Sequence, residues 1–65
     1  MTNYQNAKIR LKDHAKQVSK TFKSDKPAQR MYINDYCDML GKDYNLSNRE
    51  RELLSNYSIK FHPKD

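Results

Sequence analysis

The sequence predicts an all-α domain, a small three-helix bundle with an extended C-terminal tail. Three observations carry this expectation: apolar residues spaced by three and four near the start, helix breakers at 24–27 and at Gly41, and a capping signature from Ser47 to Glu50. Residues 1–65 are read as one domain, with helices over about 3–23, 27–40 and 47–57 and extended chain over 58–65.

The first helix organises the rest. Tyr4, Ala7, Leu11, Ala15, Val18 and Phe22 fall on one stripe of a helical wheel, and Thr2 or Asn3 stands where an N-cap side chain accepts from an unpaired amide. Lys8, Lys12, Lys16 and Lys20 follow at steps of four on an adjacent face, with Lys23 swinging back beside them and Arg10 further round. Those six cations face the single anion Asp13, so residues 3–23 carry the whole formal charge of +5, while residues 24–65 sum to zero. Ile9 is the exception to the pattern, projecting into the basic face as an apolar anchor among lysines or as an isolated exposed side chain.

Ser24-Asp25-Lys26-Pro27 separates the first two helices, because proline disfavours helical geometry in the residue before it and suits a first helical turn itself. In the second helix the apolar set is Ala28, Tyr32, Ile33, Tyr36, Cys37, Met39 and Leu40, an arc wide enough to predict a central, well-buried helix. Gly41, the only glycine, is expected to end it in the left-handed conformation. A short loop follows. Ser47 and Glu50 then form a capping box, and Leu46, Leu53, Leu54 and Tyr57 share the inner face of the third helix. After Asn56, Tyr57, Ile59 and Phe61 alternate with Ser58, Lys60 and His62, a period of two that predicts extended chain before Pro63. Such a strand has no partner within a helical chain, which makes Tyr57, Ile59 and Phe61 candidate contacts for another protein or a second copy.

A domain of 65 residues buries about 60% of the surface of its unfolded chain, so its stability is expected to be marginal. The single cysteine forms no internal bridge, and no apolar run is long enough to span a bilayer, so a reducing, cytoplasmic setting is expected. One cysteine and two well-separated histidines offer no metal-ligand spacing, and no nucleophile and base are paired. Neither enzymatic activity, a metal, another cofactor nor a small-molecule substrate is therefore expected.

The charge distribution points to a polyanion. Lys8 to Lys20 span about 18 Å at the helical rise, comparable with several phosphates along one strand. Lysine is a flexible point charge without the planar fork of arginine, so such a ridge holds a backbone and reads no base sequence. The second and third helices with Arg49 and Arg51 match a helix-turn-helix in outline. Their loop is longer than usual, and Glu50 and Glu52 would meet the same phosphates. The expected function is phosphate-driven binding of DNA or RNA through Lys8, Arg10, Lys12, Lys16, Lys20 and Lys23, with Arg49 and Arg51 as a second set. The alternative is a protein-interaction module docking through the basic helix or the tail. Membrane-surface binding ranks lower, because the first helix needs its apolar stripe for the core.

Overall fold

The computed structural model describes residues 1–64 and forms a three-helix bundle, with α1 at Asn3–Thr21, α2 at Lys26–Asp43 and α3 at Asn48–Ile59. Asp65 lies outside the described residues. Among those residues there is no β-strand, and no helix is long and apolar enough to cross a membrane. The extents, 34 × 17 × 16 Å, are those of three rods laid side by side.

Each helix starts on a side-chain cap that satisfies amides left unpaired by the helical bond pattern. Thr2 and Gln5 form a reciprocal capping box on α1, Asp25 accepts from the Ala28 amide on α2, and Ser47 and Glu50 form the expected box on α3. Ala7, Leu11, Ala15 and Val18 from α1 meet Ile33, Cys37 and Leu40 from α2, Leu46 from the second loop and Leu54 from α3 in one buried cluster. Tyr4, Phe22, Tyr36, Tyr44, Tyr57 and Phe61 close its rim. The stripe predicted for the first helix is therefore the stripe that packs.

Four expectations are corrected. Leu53, expected on the inner face of the third helix, is 43% exposed, and the buried positions of α3 are Leu54 and Ser58. Gly41 does not end α2. It is a buried helical residue without positive φ, and the left-handed position belongs to Asn45, at φ 50°. The Leu46 amide donates to the Gly41 carbonyl at 3.0 Å and the Asn45 amide to that of Lys42 at 3.1 Å, the paired bonds of a Schellman C-terminus. Gly41 serves packing instead, since a methyl on its α-carbon would lie 3.1 Å from Arg51 Cγ.

The buried arc of α2 is narrower than its composition suggested. Tyr32 and Met39 are more than 40% exposed, whereas Gln29 is buried. Tyr32 instead stacks on Phe22 and Tyr36 on His14, while the Gln29 amide donates to the Phe22 carbonyl at the end of α1.

The tail is not extended over its first residues. α3 continues to Ile59, and Lys60, Phe61 and His62 turn tightly through bonds to the carbonyls of Tyr57, Ser58 and Ile59. A lone strand would leave its backbone groups without partners inside the protein, whereas helix and turn satisfy them locally. The consequence for side chains is that Phe61 packs on the core and Ile59 is 59% exposed. Arg30 Nη2 donates to the Pro63 carbonyl and His62 Nε2 to Asn34 Oδ1, so the end of the chain is fastened to α2.

Candidate functional site

The chain direction decides which faces meet. Asn3 Nδ2 donates to the Tyr44 carbonyl beside the start of α3, and Phe61, past the end of α3, lies with Ala15, Lys16 and Ser19 on the second half of α1. α1 and α3 therefore run in the same direction, with a groove between them along the lysine ridge.

The groove has two open depressions. Near the start of α1, Met1, Gln5, Lys8, Ile9 and Lys12 face Tyr57 of α3. One or two turns further on, Ala15, Lys16, Ser19 and Lys20 face Lys60 and Phe61. Among the described residues, none of these lysines is paired with a carboxylate. Lys8 Nζ lies over the Tyr57 ring at 4.6 Å and the Tyr4 ring at 5.6 Å, and Lys60 Nζ stands 5.6 Å from the Tyr57 centroid. Such contacts orient an ammonium group without neutralising it. Tyr57 meets Phe61 edge-on, with centroids 5.2 Å apart, so two aromatic rings form the wall opposite the ridge. Met1, at 87%, and Ile9, at 46%, are exposed apolar groups at the same end.

Glu50, on the first turn of α3, has its Oε1 accepting from the Ser47 amide in the capping box. Burial raises the Tyr4 phenol above its ordinary pKa, with Tyr57 and Glu50 adding to the shift. Tyr4 is therefore a neutral packing group.

Not every predicted cation joins the groove. Arg10 lies round the helix with Asp13, His14, Gln17 and Tyr36 on the α1–α2 side. Lys23 falls in the turn after α1. Arg51 lines the α2–α3 side with Cys37, Asp38, Gly41 and Lys42, and its Nε donates to the Leu46 carbonyl at 3.2 Å. Arg49 is exposed on the first turn of α3. Lys8, Lys12, Lys16 and Lys20 remain together, and the structure adds Lys60, which the sequence reading left out. Its signal was present as the i,i+3 spacing from Tyr57, legible only when the third helix is carried through Ile59.

The remaining reactive side chains are packing groups. Burial raises the pKa of the Cys37 thiol, with Asp38 adding and a hydrogen bond with Ser58 opposing, so the thiolate that nucleophilic chemistry requires is disfavoured. His14 stacks on Tyr36 at 3.8 Å, and burial lowers its pKa. Among the described residues, no group of three or more His, Cys, Asp or Glu is placed to hold a metal ion.

No family model matches this chain, and neither the curated proteins nor the solved structures include a match to it.

Proposed function

We propose that this protein binds nucleic acid through its phosphates, using the α1–α3 groove. The observation that carries the reading is the convergence of Lys60 on the row formed by Lys8, Lys12, Lys16 and Lys20, with no paired carboxylate among the described residues. Successive lysines on α1 are about 6 Å apart along the axis, a spacing at which adjacent ammonium groups reach successive phosphates. Binding releases the counterions condensed on the strand, which supplies most of the driving force and makes affinity salt-dependent. Among the described residues no arginine lines the groove, so the planar fork that reads base edges best is missing there and sequence preference is weak. Arg49 and Arg51 lend little to a helix-turn-helix version, because Arg51 is committed to the Leu46 carbonyl on the α2–α3 side.

The test is fluorescence anisotropy with random-sequence DNA and RNA at several salt concentrations. About five neutralised phosphates give a log-log slope near −4.5 on duplex DNA, a loss of several-hundred-fold between about 50 and 200 mM salt. Binding that ignores salt, or that survives charge reversal of Lys12, Lys16 and Lys20 together, rules the reading out.

The second reading is a protein-interaction module, favoured by the exposed Met1 and Ile9 within the lysine row. Its partner is an acidic surface with apolar side chains, or a second copy of the chain. Docking of the tail by strand addition loses its element, since residues 57–62 form helix and turn. A pull-down that persists after nuclease treatment and fails for Ile9→Asp supports this reading; one abolished by nuclease removes it.

A further inference from the structure

We infer that the occupant of the α1–α3 groove is a single-stranded nucleic acid, an inference that rests on the phosphate-binding reading and specifies its ligand. The cations do not form a uniform surface. Met1 and Ile9 stand beside Lys8 and Lys12, and Tyr57 and Phe61 stand across from the row. A duplex keeps its base faces stacked inside, so it offers an aromatic side chain no open base face to stack on. An extended single strand presents both: phosphates along one edge and unstacked base faces along the other. Lysines on one wall and rings on the other match that division.

Tyr57 is the centre of the arrangement. Its ring is half-buried, with Lys8 Nζ at 4.6 Å and Lys60 Nζ at 5.6 Å. Both ammonium groups sit on flexible stems, so a phosphate entering the groove draws them away from the ring. The uncovered π-surface then accepts a base, which stacks on an aromatic face with little regard to its identity. Ile9, exposed one helical step from Lys8 and Lys12, covers a neighbouring base or sugar. From Lys8 to Lys20 the row matches about four successive phosphates of one strand.

The experiment compares the full chain on a labelled 12-nucleotide single strand, as DNA and as RNA, and on a duplex of the same length, by anisotropy at low and moderate salt. The single strand is expected to bind at least about tenfold more tightly, with a log-log salt slope near −3.5 for about five phosphates, and to quench tyrosine emission. Ile9→Asn and Tyr57→Leu are each expected to weaken single-strand binding by about five- to tenfold, with little effect on the duplex. Ile9 is exposed, so its variant keeps the fold; circular dichroism checks the Tyr57 variant. Equal or tighter binding to duplex, or single-strand binding unchanged in both variants, overturns this inference and leaves phosphate binding standing. Failure to bind either form at about 50 mM salt removes both. If a poly-glutamate peptide alone is bound, the groove belongs to an acidic protein partner and the inference falls.

Discussion

Arg51 lies across Gly41, with Cγ 3.1 Å from where a glycine-borne methyl would sit, while its Nε holds the Leu46 carbonyl at 3.2 Å. The missing side chain lets one arginine span from α3 to the end of α2 and fasten the turn between them. Glycine within a helix costs about 0.5–1 kcal/mol relative to alanine, so the contact opposes a real local preference. In an Arg51→Ala background, Gly41→Ala is expected to stabilise by about that amount; in the native background the gain shrinks because the arginine stem must shift. Urea unfolding of the four proteins measures the coupling, and equal gains in both backgrounds would show that the contact is incidental.

Asn45 holds the left-handed position that closes α2. An alanine there keeps the Schellman bonds only with its Cβ against the following carbonyl, so Asn45→Ala is expected to lower stability by about 1 kcal/mol. Asn45→Gly should not lower it. The same unfolding curves decide between them.

The cap on α3 is testable in the same way. Ser47→Ala removes the acceptor for the Glu50 amide and is expected to cost about 1 kcal/mol, against only a few tenths for Ser47→Gly. For a domain this small the difference is visible as a shift in thermal midpoint of several degrees.

His14 supplies a pH dependence. Its pKa is lowered in the folded protein by burial, so below the ordinary histidine range the unfolded chain holds more protons. This contribution is complete above about pH 6.5 and is lost as pH falls through the lowered folded value, so acid favours unfolding. The thermal midpoint of the native protein is expected to fall more steeply than that of His14→Phe between neutral pH and about pH 5. Calorimetric scans of the pair subtract the carboxylates common to both, and parallel curves would contradict the assignment.

The composition of the groove predicts which charges matter. Lys60→Glu is expected to weaken nucleic-acid binding as much as Lys16→Glu, and replacing either by alanine to reduce the duplex salt slope by about 0.9. Arg10→Glu and Arg51→Glu, which alter charge on other faces, should change affinity far less. A salt-dependent anisotropy series ranks them, and a flat ranking would point to overall charge in place of a site.

Much of the fold was legible because it rests on local chemistry. The stripe from Tyr4 to Phe22, the proline at the head of the second helix and the Ser47 box each depend on residues within about a turn of one another. The tail was misread because Tyr57, Ile59 and Phe61 fit a period of two as well as one side of a helix does. Backbone pairing broke the tie, with amides 60–62 finding carbonyls three residues back. Gly41 was misread because a glycine near a helix end and a glycine under a crossing side chain look alike until the crossing helix is placed.

The sequence by itself determined that the net charge lies within residues 3–23 and that Lys8, Lys12, Lys16 and Lys20 share a face, since the helical period is a property of the backbone and needs no partner. Only the tertiary structure decided that Tyr57, Lys60 and Phe61 stand opposite that row while Arg10 and Arg51 turn to other sides. Those relations join residues some forty positions apart. They depend on how α1 and α3 settle around a shared core, which the spacing within either helix leaves open.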